Sequence, residues 1–539
     1  MSRVIVVGAG LAGLASACRL VGDGHEVTLI ERATDPGGRN GIIREGGFTF
    51  DSGPTVFTMP HLLDRAFGHL GRRLADEVRL ARLDPAYRAV YADGTQLRVR
   101  AELGDQLAEI RTVVSERDAA AFTDFVKWLE ELYAVEMPNF IERNFDSPLD
   151  LLTRPGAAAK LIGLGGFGRL GKAVAQRFAD DRLVKLFTFQ AMYAGLAPAD
   201  ALAIYAVITY MDSVAGVWFP EGGMHAVPAA LASALGESGA ELRFGTSVTS
   251  ILRDSSGRVA GVVAGGEQLR ADAVVVTLDL PVAYRELLSD LTPPKVLAGA
   301  QYSPSAVVWH VGVRGLPGAG VAHHNIHFGS EWTRSFEQLI RRKELMSDPS
   351  RLVTIPSLDA PDMAPDGHSA LYVLEPVPHL GARIDWTRES GPMRERLHRF
   401  LGDHGYPDDV VVERLVTPAD WAAQGMAMGS PFSLAHTFFQ TGPFRPRNFE
   451  PRVPGVFFAG SGTTPGVGVP MVLISGELAG VRVRQYLNAA SASSQRPPSS
   501  RLTSSSSRPT SSSSRPTSSS SRRRPGSQSP ITTASQAER

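Results

Sequence analysis

The chain has a single cysteine, Cys18, in 539 residues. Disulfides within the chain, a cysteine zinc cluster and an iron–sulfur site are therefore excluded. Long apolar runs are missing as well. The best, Ala201 to Met211, is cut off by Asp200 and Asp212. It falls short of the roughly 18 residues that mark a membrane-spanning helix. No H-E-x-x-H helix offers a metal site. Net charge is also missing, with 55 Lys+Arg against 55 Asp+Glu. That balance joins two unlike parts. Residues 491–539 hold 20 Ser, 8 Arg and one acid, Glu538, which leaves 47 basic and 54 acidic side chains in 1–490. A mildly acidic body lacks the basic footprint of a nucleic-acid binder, so no nucleic-acid partner is expected. No secretory leader is expected either, because the first residues already read as a strand.

The tail repeats Ser504-Ser-Ser-Ser-Arg-Pro-Thr510 at 511–517. No position of this seven-residue period is apolar, which excludes a coiled coil. Such a composition buries too little surface to offset chain entropy, so 491–539 reads as a disordered Ser/Arg/Pro-rich tail.

The body reads as α/β. Arg3–Val7 is a continuous apolar run, as in a strand buried on both faces. Leu11–Val21 suits a helix and Glu26–Glu31 a second strand. Residues 102–212 are mostly helical in pattern, with Phe122, Phe125, Val126 and Leu129 on one face of Ala119–Tyr133. Residues 241–278 read as short strands joined by turns such as Asp254–Gly257. Strands (Ala306–Val313, Leu371–Glu375) mix with helices (Pro392–Leu401) in 290–440.

Gly8, Gly10 and Gly13 spell G-x-G-x-x-G between the first strand and the first helix. Gly8 suits the tight turn, and Gly10 a close approach of backbone to pyrophosphate. Gly13 suits close helix–strand packing, and the helix N-terminus attracts the anion. Glu31 ends the second strand, 18 residues past Gly13, where a carboxylate meets the adenosine ribose. Gly37, Gly38 and Arg39 follow and add donors near the phosphates. A dinucleotide site is the expectation.

The pattern from Glu31 to Arg39 resembles the FAD-binding amine-oxidase and carotenoid-desaturase superfamily. Gly455-Val-Phe-Phe-Ala-Gly-Ser-Gly-Thr-Thr-Pro-Gly-Val-Gly-Val469, with Ser475, closely matches the signature of the bacterial-type phytoene desaturases. Thr464 stands where many relatives carry His, and Ser461 where a smaller residue is usual. The segment itself reads as a strand, a glycine loop and a helix opening near Gly468. Such a loop places backbone N–H groups and a positive dipole end against a flavin. Phe50–Val56, Phe219–Met224, Ala322–His324, Pro376–Gly381 and Phe444–Asn448 resemble the same family. The resemblance covers about residues 1–485.

The resemblance implies an FAD-binding Rossmann-like α/β domain of the amine-oxidase/glutathione-reductase type, with a mixed-sheet substrate domain and a helical membrane-facing region. The expected boundaries are 1–75, 215–285 and 440–490 for the discontinuous FAD domain, 76–105 and 286–439 for the substrate domain, and 106–214 for the helical region. Its cofactor residues would be Gly8, Gly10, Gly13, Glu31, Gly38, Arg39, Val248 by its backbone at the adenine, Gly460, Ser461, Gly466, Gly468 and Val469. The expected activity is FAD-dependent desaturation of phytoene, toward lycopene, with quinone or oxygen as electron acceptor. Asp150 and Arg154 lie where the family places polar groups near substrate, although its arginine aligns with Thr153. His323 and His324 read as a structural or solvated pair. A desaturase of a C30 or modified carotenoid, a flavin amine oxidase and a non-enzymatic lipid carrier on the same fold are the alternatives.

Leu151–Ala179 holds Arg154, Lys160, Arg169, Lys172 and Arg177 and no acid, with Leu161, Ile162, Leu164, Phe167 and Leu170 between them. Cations flanking apolar residues suit an anionic membrane surface. The four glycines at 163–168 argue against a straight helix. A cytoplasmic, peripherally membrane-associated protein is the expectation.

Overall fold

The run Val4-Ile-Val-Val7 has no exposed face, and it becomes the middle strand of a five-stranded parallel sheet. A computed structural model describes residues 1–494, and contacts gather Met1–Ser491 into one unit. The sheet order is Val456–Phe458, Ala273–Val276, Arg3–Val7, Glu26–Ile30 and Glu241–Arg243. Val4 lies beside Ala273 on one side and Val27 on the other. Strands buried on both faces read as continuous apolar runs, which is why this layer was legible. Helix Leu11–Gly22 covers the sheet, with Cys18 buried in its small-residue face. Burial, with Glu477 nearby, pushes the Cys18 thiol up to about 12, so it packs as a small apolar group.

A three-stranded antiparallel sheet follows: Val248–Arg253, Val259–Ala264 and Glu267–Arg270. Asp254 closes its first turn by accepting from the Ser256 and Arg258 amides at 2.8 and 3.1 Å. A seven-stranded sheet, with strands from 87–99 and 305–416, forms another layer. Its two longest strands, Ser305–Arg314 and His368–Val377, pair in antiparallel register.

Residues 103–213 are mainly helical. The longest helix of this segment, Glu116–Glu136, starts where Ser115 accepts the Asp118 amide at 3.0 Å. Such a cap satisfies an otherwise orphaned donor. Its stripe of Phe122, Phe125, Leu129 and Leu132 is buried. Phe125 meets Phe178 and Phe187 at 5.1 and 5.3 Å between ring centres. Truncating Phe125 to alanine would cost roughly 3–5 kcal/mol by loss of transfer and packing. The helix passes directly into a π-turn, Met137–Ile141. Glycines then break the cationic segment into short helices, Pro155–Gly163 and Leu170–Ala175.

No helix among the described residues is long and apolar enough to cross a membrane. The C-terminal helix runs from Val469 to Ser494, so the first residues of the expected tail are helical. The disorder expected for the rest, 495–539, lies outside the described residues.

Candidate functional site: a nucleotide cradle opening into an apolar slot

The first strand ends at a turn that only glycine accommodates. Gly8 has φ +106°, and a Cβ there would lie 2.2 Å from Thr277 Oγ1. Gly13 packs rather than binds. A Cβ on it would lie 2.0 Å from the Gly8 carbonyl oxygen, and it does not line the cavity. Gly10 does line it, and a Cβ there would meet only the Gly37 carbonyl oxygen, at 3.9 Å. Glu31 is buried at the end of the second strand. Its carboxylate accepts the Ala9 and Ala33 amides at 2.8 and 2.9 Å. Those bonds fix its position and leave lone pairs for hydroxyl donors.

Arg39 joins distant parts of the chain. It donates to Ser461 Oγ at 2.8 Å and to Asp279 Oδ1 at 2.5 Å. Asp279 also accepts the Ala427 amide at 3.0 Å. Arg39 Nε is buried with no partner, an unused donor at the cavity wall.

The 460–468 loop is held from behind by Arg445. This buried guanidinium donates to the carbonyls of Ser461, Thr463 and Gln440 at 2.7, 3.2 and 3.0 Å. Burial lowers its pKa to about 10, so it stays charged. The Gly460 amide donates to Ser475 Oγ at 3.0 Å, which ties the loop to the helix behind it. Gly460, Ser461, Gly468 and Val469 line the cavity, and so do Gly38 and Val248. Gly466 does not. A Cβ there would lie 2.2 Å from His436 Cε1, so this glycine makes room for the imidazole. Gly466, expected at the cofactor, thus packs against a side chain instead of facing the cavity.

One cavity of about 870 Å³ runs from this cradle into the space between the helical segment and the seven-stranded sheet. Phe189, Tyr193, Ile208, Phe328 and Leu374 are among its inner walls. Glu136, at the end of the long helix, and Asp212 also line it. Neither was read from the sequence as functional. Asp212 had figured only as the acid that ends an apolar run.

Asp150 and Arg154, expected near the substrate, lie elsewhere. Neither lines the cavity. Asp150 completes a capping box with Ser147, accepting the Asp146 and Ser147 amides at 2.7 and 3.1 Å. Those bonds hold its carboxyl below the usual range, as a cap rather than a base. Arg154 is exposed and donates to Asn139 at 2.8 Å. His323 and His324 are structural. His323 meets Asp359 at 2.7 Å, and His324 lies between the Thr55 and Ala86 carbonyls at 3.0 and 3.1 Å.

The model of the flavin containing amine oxidoreductases matches residues 11–484. A phytoene dehydrogenase of Streptomyces griseus is 50% identical over 490 residues, which cover 90% of this chain and 95% of that protein. A zeta-carotene-forming phytoene desaturase of Myxococcus xanthus is 36% identical, over 91% of this chain and 95% of its own. This chain belongs to the phytoene desaturase family of flavin containing amine oxidoreductases. A lycopene-forming phytoene desaturase of Pseudescherichia vulneris is 32% identical over 88% of this chain and 97% of its own. Among solved structures, the cyclohexylamine oxidase of Brevibacterium oxydans has a TM-score of 0.56 at 19% identity, over 90% of this chain and 99% of that one. That likeness speaks for the fold alone.

Membership makes FAD the cofactor, and the residues fit it. The cradle offers side-chain-free backbone at Gly10, Gly38 and Gly468, a carboxylate at Glu31 and the unused Nε of Arg39. Glu31 would hold the ribose, and Gly10 with the following helix terminus the pyrophosphate. Gly468, Val469 and Ser461 would hold the flavin end.

Proposed function

We propose that this chain is an FAD-dependent desaturase that introduces conjugated double bonds into phytoene, ending at lycopene, with quinone or oxygen taking the electrons. The observation that carries the reading is the continuity of one cavity from the nucleotide cradle into an apolar slot. A long hydrocarbon gains from such walls at about 25 cal/mol per Å² buried. Bound FAD supplies the hydride acceptor. The chain's own work is to orient the polyene, exclude water and take up a proton. The three expected units, with the boundaries given above, remain the reading of how the chain divides this labour. Expression in a phytoene-accumulating host, followed by pigment analysis, tests the proposal. New conjugated carotenes are expected, and unchanged phytoene would sink it. The Glu136 and Asp212 carboxyls are the one feature that favours an amine substrate, so a diamine belongs in the same assays.

We further infer a peripheral membrane contact beside the cavity. Leu149, Leu152, Ile162 and Phe167 are exposed, next to the exposed Arg154, Lys160, Arg169 and Lys172. The turn Gly442–Phe444 packs against Pro148–Thr153 and follows the exposed Phe438 and Phe439. Thr441 and Gly442 line the cavity, so this patch borders it. The expected apolar set is corrected in part. Leu161 and Leu170 are buried in the core, and Arg177 stacks on Trp128 at 3.9 Å, so these three face the protein.

A further inference from the structure

Removing two hydrogens from adjacent carbons requires a place for a proton. Two C–H bonds break. One hydrogen leaves as hydride, the chemistry that bound FAD supplies. The other leaves as a proton, and its bonding pair becomes the new π bond. The slot is otherwise apolar, so the acceptor must be one of few groups.

Five buried side chains lining the cavity are chemically able to accept a proton; Glu31 is held by the Ala9 and Ala33 amides and Asp279 by Arg39 and the Ala427 amide, which leaves Glu136, His436 and Asp212. Their surroundings separate them. No hydrogen bond reaches Glu136, and burial alone holds its carboxyl well above the usual range. Burial therefore disfavours the charged form that a base must present. His436 packs on Gly466 beside Arg445, and burial and that guanidinium push its pKa well below the usual value. An imidazolium there would sit against a fixed positive charge. Asp212 differs from both. Its Oδ1 accepts from Ser213 Oγ at 2.7 Å and from the Gln190 amide at 3.3 Å. Its Oδ2 makes no hydrogen bond of good geometry, although the Tyr87 hydroxyl lies within reach of the carboxyl. One oxygen is anchored by neutral donors and the other has only the neutral Tyr87 hydroxyl near it, in a residue that lines the slot.

We propose that Asp212 is the proton acceptor of the desaturation, taking the proton on Oδ2. The inference rests on the desaturase reading above. The neighbours make the role workable. Tyr87, from strand Tyr87–Tyr91, and Tyr193, after the turn Phe189–Met192, face the carboxyl and carry no charge at neutral pH. Behind Tyr87, at 5.4 Å between ring centres, His324 is held neutral by burial. The helix packed alongside ends in Glu136, whose charged form burial disfavours. No cation stabilises the carboxylate, so burial raises it to about 7, with the Ser213, Gln190 and Tyr87 donors opposing. A base of that strength is half ionised near neutrality and gives up its proton readily between turnovers.

The test uses the FAD-loaded protein. Asp212→Asn keeps the side chain's shape, and Glu136→Gln serves as comparison. Phytoene in liposomes is mixed without oxygen, and the rate of flavin bleaching is followed against pH. Wild type is expected to speed up with pH through one ionisation near 7. Asp212→Asn is expected to lose that limb and to fall about 100-fold or more in rate, with FAD content and phytoene binding unchanged. Glu136→Gln is expected to keep the limb. Infrared titration of the resting protein gives a readout without turnover: a carboxylate band rising near pH 7, absent in Asp212→Asn. Asp212→Glu serves where the Asn variant fails to fold, and its limb should shift with the new carboxyl. A wild-type rate or an intact limb in Asp212→Asn, an unshifted limb in Asp212→Glu, or no titrating band in wild type overturns the proposal. If phytoene leaves wild-type flavin oxidised, the desaturase reading itself fails, and the infrared band still decides whether Asp212 ionises.

Discussion

Arg39 reaches Ser461 Oγ at 2.8 Å, across 422 residues of chain. With its second bond, to Asp279, it joins the segment after the ribose carboxylate to the C-terminal glycine loop. The cradle is therefore assembled only when the ends of the chain meet.

Arg39→Ala is expected to weaken FAD binding while the fold survives. Charge-assisted bonds of this type are worth about 1.5–3 kcal/mol, which corresponds to roughly 10- to 150-fold in dissociation constant. Titration of the apoprotein with FAD reads this directly. Retention of wild-type affinity would show that Arg39 only decorates the wall.

Arg445→Met is expected to lower stability by about 2–4 kcal/mol. The three carbonyls of Gln440, Ser461 and Thr463 lose their donor, and unsatisfied buried acceptors are costly. Arg445→Lys should recover part of the loss, since an ammonium lacks the planar fork. Denaturant midpoints of the two variants check the order.

How much of this was legible in the sequence follows from distance along the chain. Gly8, Gly10 and Glu31 sit within one strand–helix–strand unit, so their spacing carried the site. Asp150, expected near the substrate, closes a capping box with Ser147 that the reading of the sequence had not singled out. Arg445, Asp279 and Asp212 act through partners that folding alone brings close. Ile162 and Leu161 are neighbours in sequence, yet one faces outward and the other the core, which composition cannot separate.

Acid sensitivity is expected from His310. Its ring lies 5.8 Å from Phe50 and 5.3 Å from Tyr372, with neither nitrogen bonded. Burial, aided by Arg414, lowers its pKa to about 3. The unfolded chain takes up this proton below about pH 6.5 and the folded chain does not, so the contribution is present above 6.5 and lost as pH falls. Between pH 7.5 and 5, His310→Phe should gain about 2 kcal/mol relative to wild type. Denaturation at both pH values measures it, and a constant difference would contradict the assignment.

Liposome sedimentation tests the membrane patch. Reversing Lys160, Arg169 and Lys172 should weaken binding to anionic vesicles, each cation being worth about 1 kcal/mol near the surface. Ile162→Asp with Phe167→Asp should remove the binding that survives high salt, because apolar burial is not screened. Wild-type sedimentation of both variants would move the contact elsewhere.

The central claim is that the slot presents a hydrocarbon to the flavin. Anaerobic mixing of the FAD-loaded protein with liposomal phytoene, followed by absorbance, tests it most directly. The account predicts that flavin colour is lost while a more conjugated carotene appears, one new double bond per flavin reduced. Oxidised flavin with phytoene, and bleaching by putrescine instead, would contradict it.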